Sequence, residues 1–136
     1  MSAENRAELR KPLQAILISP DKKERQMILS GEKTVSVRYG HRDYEIGPVM
    51  LCCHIEPWTV KAEITNVKHI TVSQVPSEDA LASGMKSGSL SEILLDLRKY
   101  YPSITFSSPV TVVRWNNLEG KLAEKAKKSK RAGYVQ

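Results

Sequence analysis

Aromatic side chains are scarce in this chain of 136 residues: one Phe, two Trp and five Tyr make up 6% of it. Aliphatic residues are plentiful instead, which favours a mixed α/β core over a disordered or fibrous chain. Cysteine is nearly absent, and the two present, Cys52 and Cys53, are adjacent. Neighbours on a strand point to opposite faces and a disulfide between them demands a strained ring, so both are expected as free thiols in a reducing cytoplasm. No apolar run approaches the roughly 18 residues that cross a bilayer. The start, Met1-Ser2-Ala3-Glu4-Asn5-Arg6, is polar and charged, so neither a membrane span nor a signal peptide is visible. Also missing are a Gly-rich phosphate loop, a nucleophile elbow, a dinucleotide fingerprint, internal repeats and a domain linker. Cys52 and His54 share a strand face, but no third ligand is spaced to join them, so neither a metal nor a cofactor is expected.

The length suits one domain that buries a core without staples. The formal net charge is +6 with a pI near 9.4, which suggests a polyanionic partner. That charge is uneven. The stretch 118–136 holds six basic residues against two acidic ones, so +4 of the +6 lies there and the body carries only +2. The organisation expected is a flexible lead-in (1–12), a domain (13–117) and a basic tail (118–136). The tail is read as a solubility element that adds salt-sensitive attraction to nucleic acid.

Along the chain, Leu13 to Ile18 is short and apolar, as in a buried strand. Asp21 offers an N-cap for a helix over Lys22 to Ser30, closed by Gly31. A strand from Lys33 to Tyr39 follows, then a turn-rich connection to Pro48, a strand over Val49 to Ile55, the turn Glu56-Pro57 and a long strand from Trp58 to Val72. In the long strand Val60, Ala62, Ile64 and possibly Asn66 alternate with wet positions. Ser77 is expected to cap a short helix. Ser89 is expected to cap a second, with Glu92 completing a capping box and Leu90, Ile93, Leu94, Leu97 and Tyr101 on one face. A closing strand runs from Pro109 to Trp115. The order β-α-β-β-β-α-α-β predicts an α/β (α+β) fold, a small mixed β-barrel of about five to six strands flanked by two to three helices.

The sharpest chemical signal is Ser30-Gly31-Glu32-Lys33-Thr34-Val35-Ser36-Val37-Arg38-Tyr39. A Gly corner delivers a lysine, and Thr34, Ser36 and Arg38 then share one strand face while the valines point to the core. Half-buried strands alternate in this way for packing alone. Read as a site, the face offers an ammonium, two hydroxyls and a planar cation to an anionic or hydrogen-bonding ligand. Tyr39 and Tyr44 are the preferred stacking candidates, ahead of Trp58 and Trp115, which are expected to pack. His41, in the next loop, is a candidate acid or base, and His69 is read as structural.

This stretch resembles the G-x-K-[ST]-x-[ST]-x-R signature of the ASCH family, small domains of the PUA-like superfamily. The likeness continues through Gly47, Ser89-Leu90-Ser91-Glu92-Ile93 and Tyr101-Pro102, covering roughly Leu13 to Trp115. It implies a PUA-like barrel with a cleft beside the signature strand that binds RNA or a modified nucleoside. The branch most similar in length deacetylates N-acetylated cytidine with a lysine, a hydroxyl and a glutamate. Lys33 and Ser36 match the first two. The acid position falls at or near Lys86, and the loop Gly84-Met85-Lys86-Ser87-Gly88 has no carboxylate, although Glu78 or Asp79 could replace it if their helix leans over the cleft. The first expectation is therefore an RNA- or nucleotide-binding module. Its cleft is cationic and free of carboxylates, and is lined by Lys33, Thr34, Ser36, Arg38, Tyr39, Arg42 and Lys86. The alternatives are a nucleoside amidohydrolase or ribonuclease with a relocated acid (Glu78), and a protein-interaction domain working through its tail.

Overall fold

A computed structural model describes residues 13–18, 21–53, 55 and 58–119. The lead-in, Ser19-Pro20, His54, the turn Glu56-Pro57 and the chain beyond Glu119 lie outside the described residues.

Local signals set the first half. The short apolar run forms strand β1 (Gln14–Leu17), and helix α1 (Lys22–Ser30) begins where the Asp21 carboxylate accepts from Lys23 N at 2.9 Å. Gly31 ends α1 at φ 88°, a left-handed conformation that glycine adopts without Cβ strain, and donates its N–H to Ile28 O. Lys33 N then bonds Met27 O at 3.0 Å, turning the chain back along the helix into β2 (Val35–Tyr39).

Strands β3 (Gly47–Cys52) and β4 (Thr59–Thr71) follow, then a 3₁₀ turn (Val72–Gln74), helices α2 (Ser77–Ala82) and α3 (Leu90–Arg98), and β5 (Pro109–Glu119). The expected order of elements is observed. Val60, Ala62 and Ile64 are buried as their alternation requires, but Asn66 is exposed. A register shift between Ile64 and Asn66 in the β4–β5 pairing breaks the alternation there, as a bulge does. Ser77 is the first residue of α2 and not its cap; Pro76 takes that place, without a side-chain hydrogen bond.

The strand order is β1-β3-β4-β5-β2, with β1 parallel to β3 and every other pairing antiparallel. The sheet curls into a half-barrel, so its two outer strands, β1 and β2, approach each other. No backbone ladder joins them. Across the gap Arg38 Nη2 of β2 donates to Leu17 O of β1. The mixed barrel expected from the sequence thus takes the form of a five-stranded half-barrel with three α-helices among the described residues.

Two apolar clusters fill it. Ile16, Val49, Leu51, Val60 and Ile64 pack with Ile28 of α1 and with Trp58 and Trp115, which are 6% and 1% exposed. Val35, Val110 and Val112 pack with Ile93, Leu97 and Ile104 under α2 and α3. Fully burying one large aliphatic side chain contributes about 1.5–3 kcal/mol, so the two clusters dominate the stability. One polar tie crosses between layers. The Asp79 carboxylate of α2, almost fully buried, accepts from Lys68 Nζ of β4 at 2.8 Å and from Arg114 Nη2 of β5. Both cysteines are free thiols, and among the described residues no helix is long and apolar enough to cross a membrane.

Candidate functional site

The gap between β1 and β2 opens into a cavity of about 240 Å³. Its floor comes from the signature strand: Lys33, Ser36 and Arg38, with Val37 beside them. Its walls are Leu17 and Ile18 at the end of β1, Glu24 of α1, Ser83 and Met85 after α2, and Asp96, Leu97, Tyr100 and Tyr101 at the end of α3. A second recess of about 220 Å³ adjoins it and shares Glu24, Ser83, Met85, Asp96 and Tyr100.

The cleft expected to lack carboxylates contains one against its lysine. Lys33 is 7% exposed, and its ammonium donates to Ser83 O at 2.8 Å and pairs with Glu24 Oε1 at 2.9 Å. From the sequence, the acid is expected downstream, in the loop before α3 or in α2. The fold supplies it from upstream, because the Gly31 corner lays α1 back against the strand that it precedes. Glu24 adjoins the buried helix positions Arg25 and Ile28, and that buried stripe was the signal that could have placed it. An ammonium has three N–H donors. Two are placed, and the third has no partner among the described residues.

Arg38 is held just as firmly. Its Nε donates to Ser36 Oγ at 2.8 Å while Nη2 reaches Leu17 O. Burial pulls the guanidinium below its ordinary pKa, against the raising influence of Tyr101, Tyr44 and Glu24. An arginine remains charged under such a shift. The formal charges of the lining cancel, with Lys33 and Arg38 against Glu24 and Asp96. This is a polar pocket with donors and acceptors in opposition and not an anion hole.

The other expected residues do not line the cavity. Thr34 is engaged through its backbone, its N to Ala82 O at 2.8 Å and its O from Trp115 N at 3.0 Å. Tyr39 packs edge-on to Tyr101, centroids 5.4 Å apart, and Tyr44 packs on the first apolar cluster. The aromatic rings that do line the cavity are Tyr100 and Tyr101, of which the sequence places Tyr101 on a helix face and gives Tyr100 no role. Arg42 is exposed, its Nε on Tyr39 O at 3.0 Å. Glu78 is exposed and its neighbour Asp79 is committed to Lys68 and Arg114, so α2 does not provide the missing acid.

Lys86 also stands outside. Glu92 does not complete the capping box on Ser89. Its carboxylate reaches back into the loop, accepting from Lys86 N at 2.9 Å, Ser87 N at 2.7 Å and Gly88 N at 2.8 Å, and from Ser87 Oγ at 2.7 Å. Those bonds, led by the Ser87 hydroxyl, hold its pKa down to about 2. The loop so fixed leaves Lys86 exposed on a separate groove with Lys23. Gly88 sits at φ 68°, and a Cβ there would meet Ser77 O at 2.8 Å.

No protein-family model matches the chain, and neither does any curated protein. Solved structures do. The ASCH domain of Lactobacillus crispatus superposes with a TM-score of 0.59 at 18% identity, covering 85% of each chain. A protein of Enterococcus faecalis superposes with a TM-score of 0.67 at 13% identity, over 90% of this chain and 86% of that one. The ASCH protein of Zymomonas mobilis gives 0.56 at 15% identity, over 76% of this chain and 66% of that one. The fold is ASCH-like.

Proposed function

We propose that the cavity between β1 and β2 receives a nucleobase, from RNA or from a modified nucleoside. The observation that carries this reading is the charge-balanced, partly apolar lining, with the cations on the floor and the carboxylates in the walls. A phosphate would meet the Glu24 and Asp96 carboxylates and is poorly matched to such a lining. A base edge carries donors and acceptors without net charge, and suits the free Lys33 N–H, the Ser36 hydroxyl and the two carboxylates. Met85, Leu97 and the Tyr100 and Tyr101 rings offer the flat apolar contact that any base supplies. The volume, about 240 Å³, falls below the roughly 300–1,000 Å³ of sites that take drug-sized ligands, so one base-sized group fills it. The resemblance of the signature strand to the ASCH family supports the same ligand class.

Titration calorimetry with cytidine, N-acetylcytidine, uridine and a short oligoribonucleotide tests this. Saturable binding that weakens at least tenfold in Lys33→Gln and in Tyr101→Ala is expected. Absence of binding by all four, or binding indifferent to both substitutions, would refute it.

A second reading rests on the Glu24–Lys33 contact. With Ser36 in the same cavity, the site holds a carboxylate, an ammonium and a hydroxyl, the groups that amide hydrolysis uses. Glu24 would take a proton from water as its oxygen attacks the amide carbon. Lys33 would give a proton to the departing amine as the C–N bond breaks and regain one from Glu24 across their contact, and Ser36 would hold the carbonyl oxygen. Release of acetate from N-acetylcytidine, lost in Glu24→Gln, would support hydrolysis. Binding of that nucleoside without any turnover would leave the binding reading and dismiss this one.

A further inference from the structure

Beside the cavity, on the sheet face that carries Arg38, two histidines and an arginine are assembled with more structure than a surface loop needs. His69 Nε2 of β4 donates to Arg42 O of the loop at 2.7 Å, and His41 Nε2 of the loop donates to Ile70 O of β4 at 3.2 Å. The two rings face each other at 5.1 Å with a 30° tilt. The loop is pinned from below by Thr111, fully buried, whose Oγ1 donates to Gly40 O at 2.7 Å and accepts from Arg42 N at 2.8 Å. Arg42 Nε is fixed on Tyr39 O at 3.0 Å, which leaves its two Nη groups without a partner among the described residues. Tyr39 directly follows Arg38, so the cluster begins one residue from the cavity lining.

A carbonyl oxygen only accepts, so each Nε2 carries the hydrogen and each neutral ring is left with a bare Nδ1 lone pair. Neither Nδ1 has a partner among the described residues. In their neutral form the pair therefore repels an anionic oxygen. Protonation turns each Nδ1 into a donor beside the Arg42 fork. Two imidazolium rings this close repel each other, and an anion between them relieves that repulsion, so protonation and anion binding reinforce one another.

Few other charges face the rings. Asp43 and Glu45 follow in the same loop, the latter tied through its backbone N to Gln14 Oε1 at 2.7 Å. From β2 there is Arg38, which pairs with Thr111 and lies within the electrostatic reach of Arg42, and from β5 there is Thr111; Tyr39 points to the other face, towards Tyr101. On β4, Lys68 points to the other face, where it meets Asp79.

We propose that His41, Arg42 and His69 form a phosphodiester clamp for the strand whose base occupies the cavity, tightening as pH falls through the imidazole range. The clamp rests on the nucleobase reading above. It places the backbone charge outside the cavity that Glu24 and Asp96 line, and so accounts for how a polyanion is held by a protein whose cavity is charge-balanced.

The test is fluorescence anisotropy of a labelled single-stranded oligoribonucleotide of mixed sequence between pH 7.5 and pH 5.5, beside calorimetry of free ribonucleosides. An imidazole is the side chain that gains charge over such a range, and oligonucleotide affinity is expected to rise as pH falls. Nucleoside affinity should stay flat. The His41→Gln/His69→Gln double variant keeps an amide N–H for each carbonyl and should lose the pH response. Arg42→Gln, whose backbone anchor on Thr111 is untouched, should weaken the oligonucleotide at both pH values and leave nucleosides unaffected, so the test stands even if the double variant does not fold. Nucleoside binding together with a flat oligonucleotide profile, or a pH response surviving in the double variant, would overturn the clamp alone. Failure of nucleosides and oligonucleotides alike would overturn the clamp together with the cavity reading.

Discussion

Replacing Glu24 exposes how much the fold depends on a buried charge being matched. The Lys33 side chain is 9% exposed and that of Glu24 25%, so the two partners do not lose equally when separated. Glu24→Gln strands an ammonium that water reaches poorly. Breaking a buried pair costs about 3–5 kcal/mol, and the amide oxygen of Gln together with Ser83 O recovers part of it, which leaves about 2–3 kcal/mol. Lys33→Met removes the cation instead, and the glutamate left behind is open enough to rehydrate, so the cost falls to about 1 kcal/mol. The double variant holds neither charge and should cost about 1.5 kcal/mol. The cycle therefore predicts a coupling of about 2 kcal/mol, several times the ~0.5 kcal/mol within which independent sites add. Urea unfolding at constant m measures all four proteins, and Glu24→Gln alone should lower the melting temperature by roughly 6–10 °C. Additivity of the two single substitutions within ~0.5 kcal/mol would show that the contact is not formed in solution, and the account of the cavity floor would fall with it.

Asp79→Asn should cost about 2–3 kcal/mol at pH 7, at the low end for a buried pair because Lys68 and Arg114 are 37% and 39% exposed. Burial raises the Asp79 pKa but the bonds from Lys68 and Arg114 outweigh it, so the folded value lies below the ordinary one. Its stabilisation is then complete above pH 4 and lost as pH falls through the folded value, and the gap between wild type and Asp79→Asn in denaturant midpoint should close in acid. Glu92→Gln should speed amide hydrogen exchange at Ser87 and Gly88. In the wild type that protection should hold above pH 4.5 and fade towards about pH 2, the range between the ordinary and the folded pKa. Gly88→Ala forces a left-handed residue and a 2.8 Å contact on Ser77 O, and a loss of more than about 1 kcal/mol in chemical unfolding is expected.

Elements whose signals are local were legible in the sequence. Asp21 and Gly31 bound α1 where capping chemistry puts them, and Lys33, Ser36 and Arg38 reach the cavity through strand alternation and a corner. What escaped was set by tertiary geometry. Glu24 becomes the lysine's partner only because α1 folds back over β2, and no spacing rule links residues across that corner. Tyr100 and Tyr101 become cavity walls through the docking of α3, where the helical pattern puts Tyr101 on a packed face and marks nothing at Tyr100. Glu92 fits the capping-box pattern, yet three loop amides and a hydroxyl compete for its carboxylate and win over one N–H of Ser89. The bulge that exposes Asn66 is likewise a property of a strand pair and not of either strand.

Both unladdered margins of the sheet confront one another across a single guanidinium. A bare strand margin is a template on which further copies of a chain can polymerise through their backbones. In this molecule each margin screens the other, and the side chain lodged between them is a cation that discourages stacking. One opening thus serves as ligand recess and as safeguard against self-assembly. A guest large enough to spread β1 and β2 apart would bare both templates, so solubility, ahead of packing, limits the size of what the protein can hold.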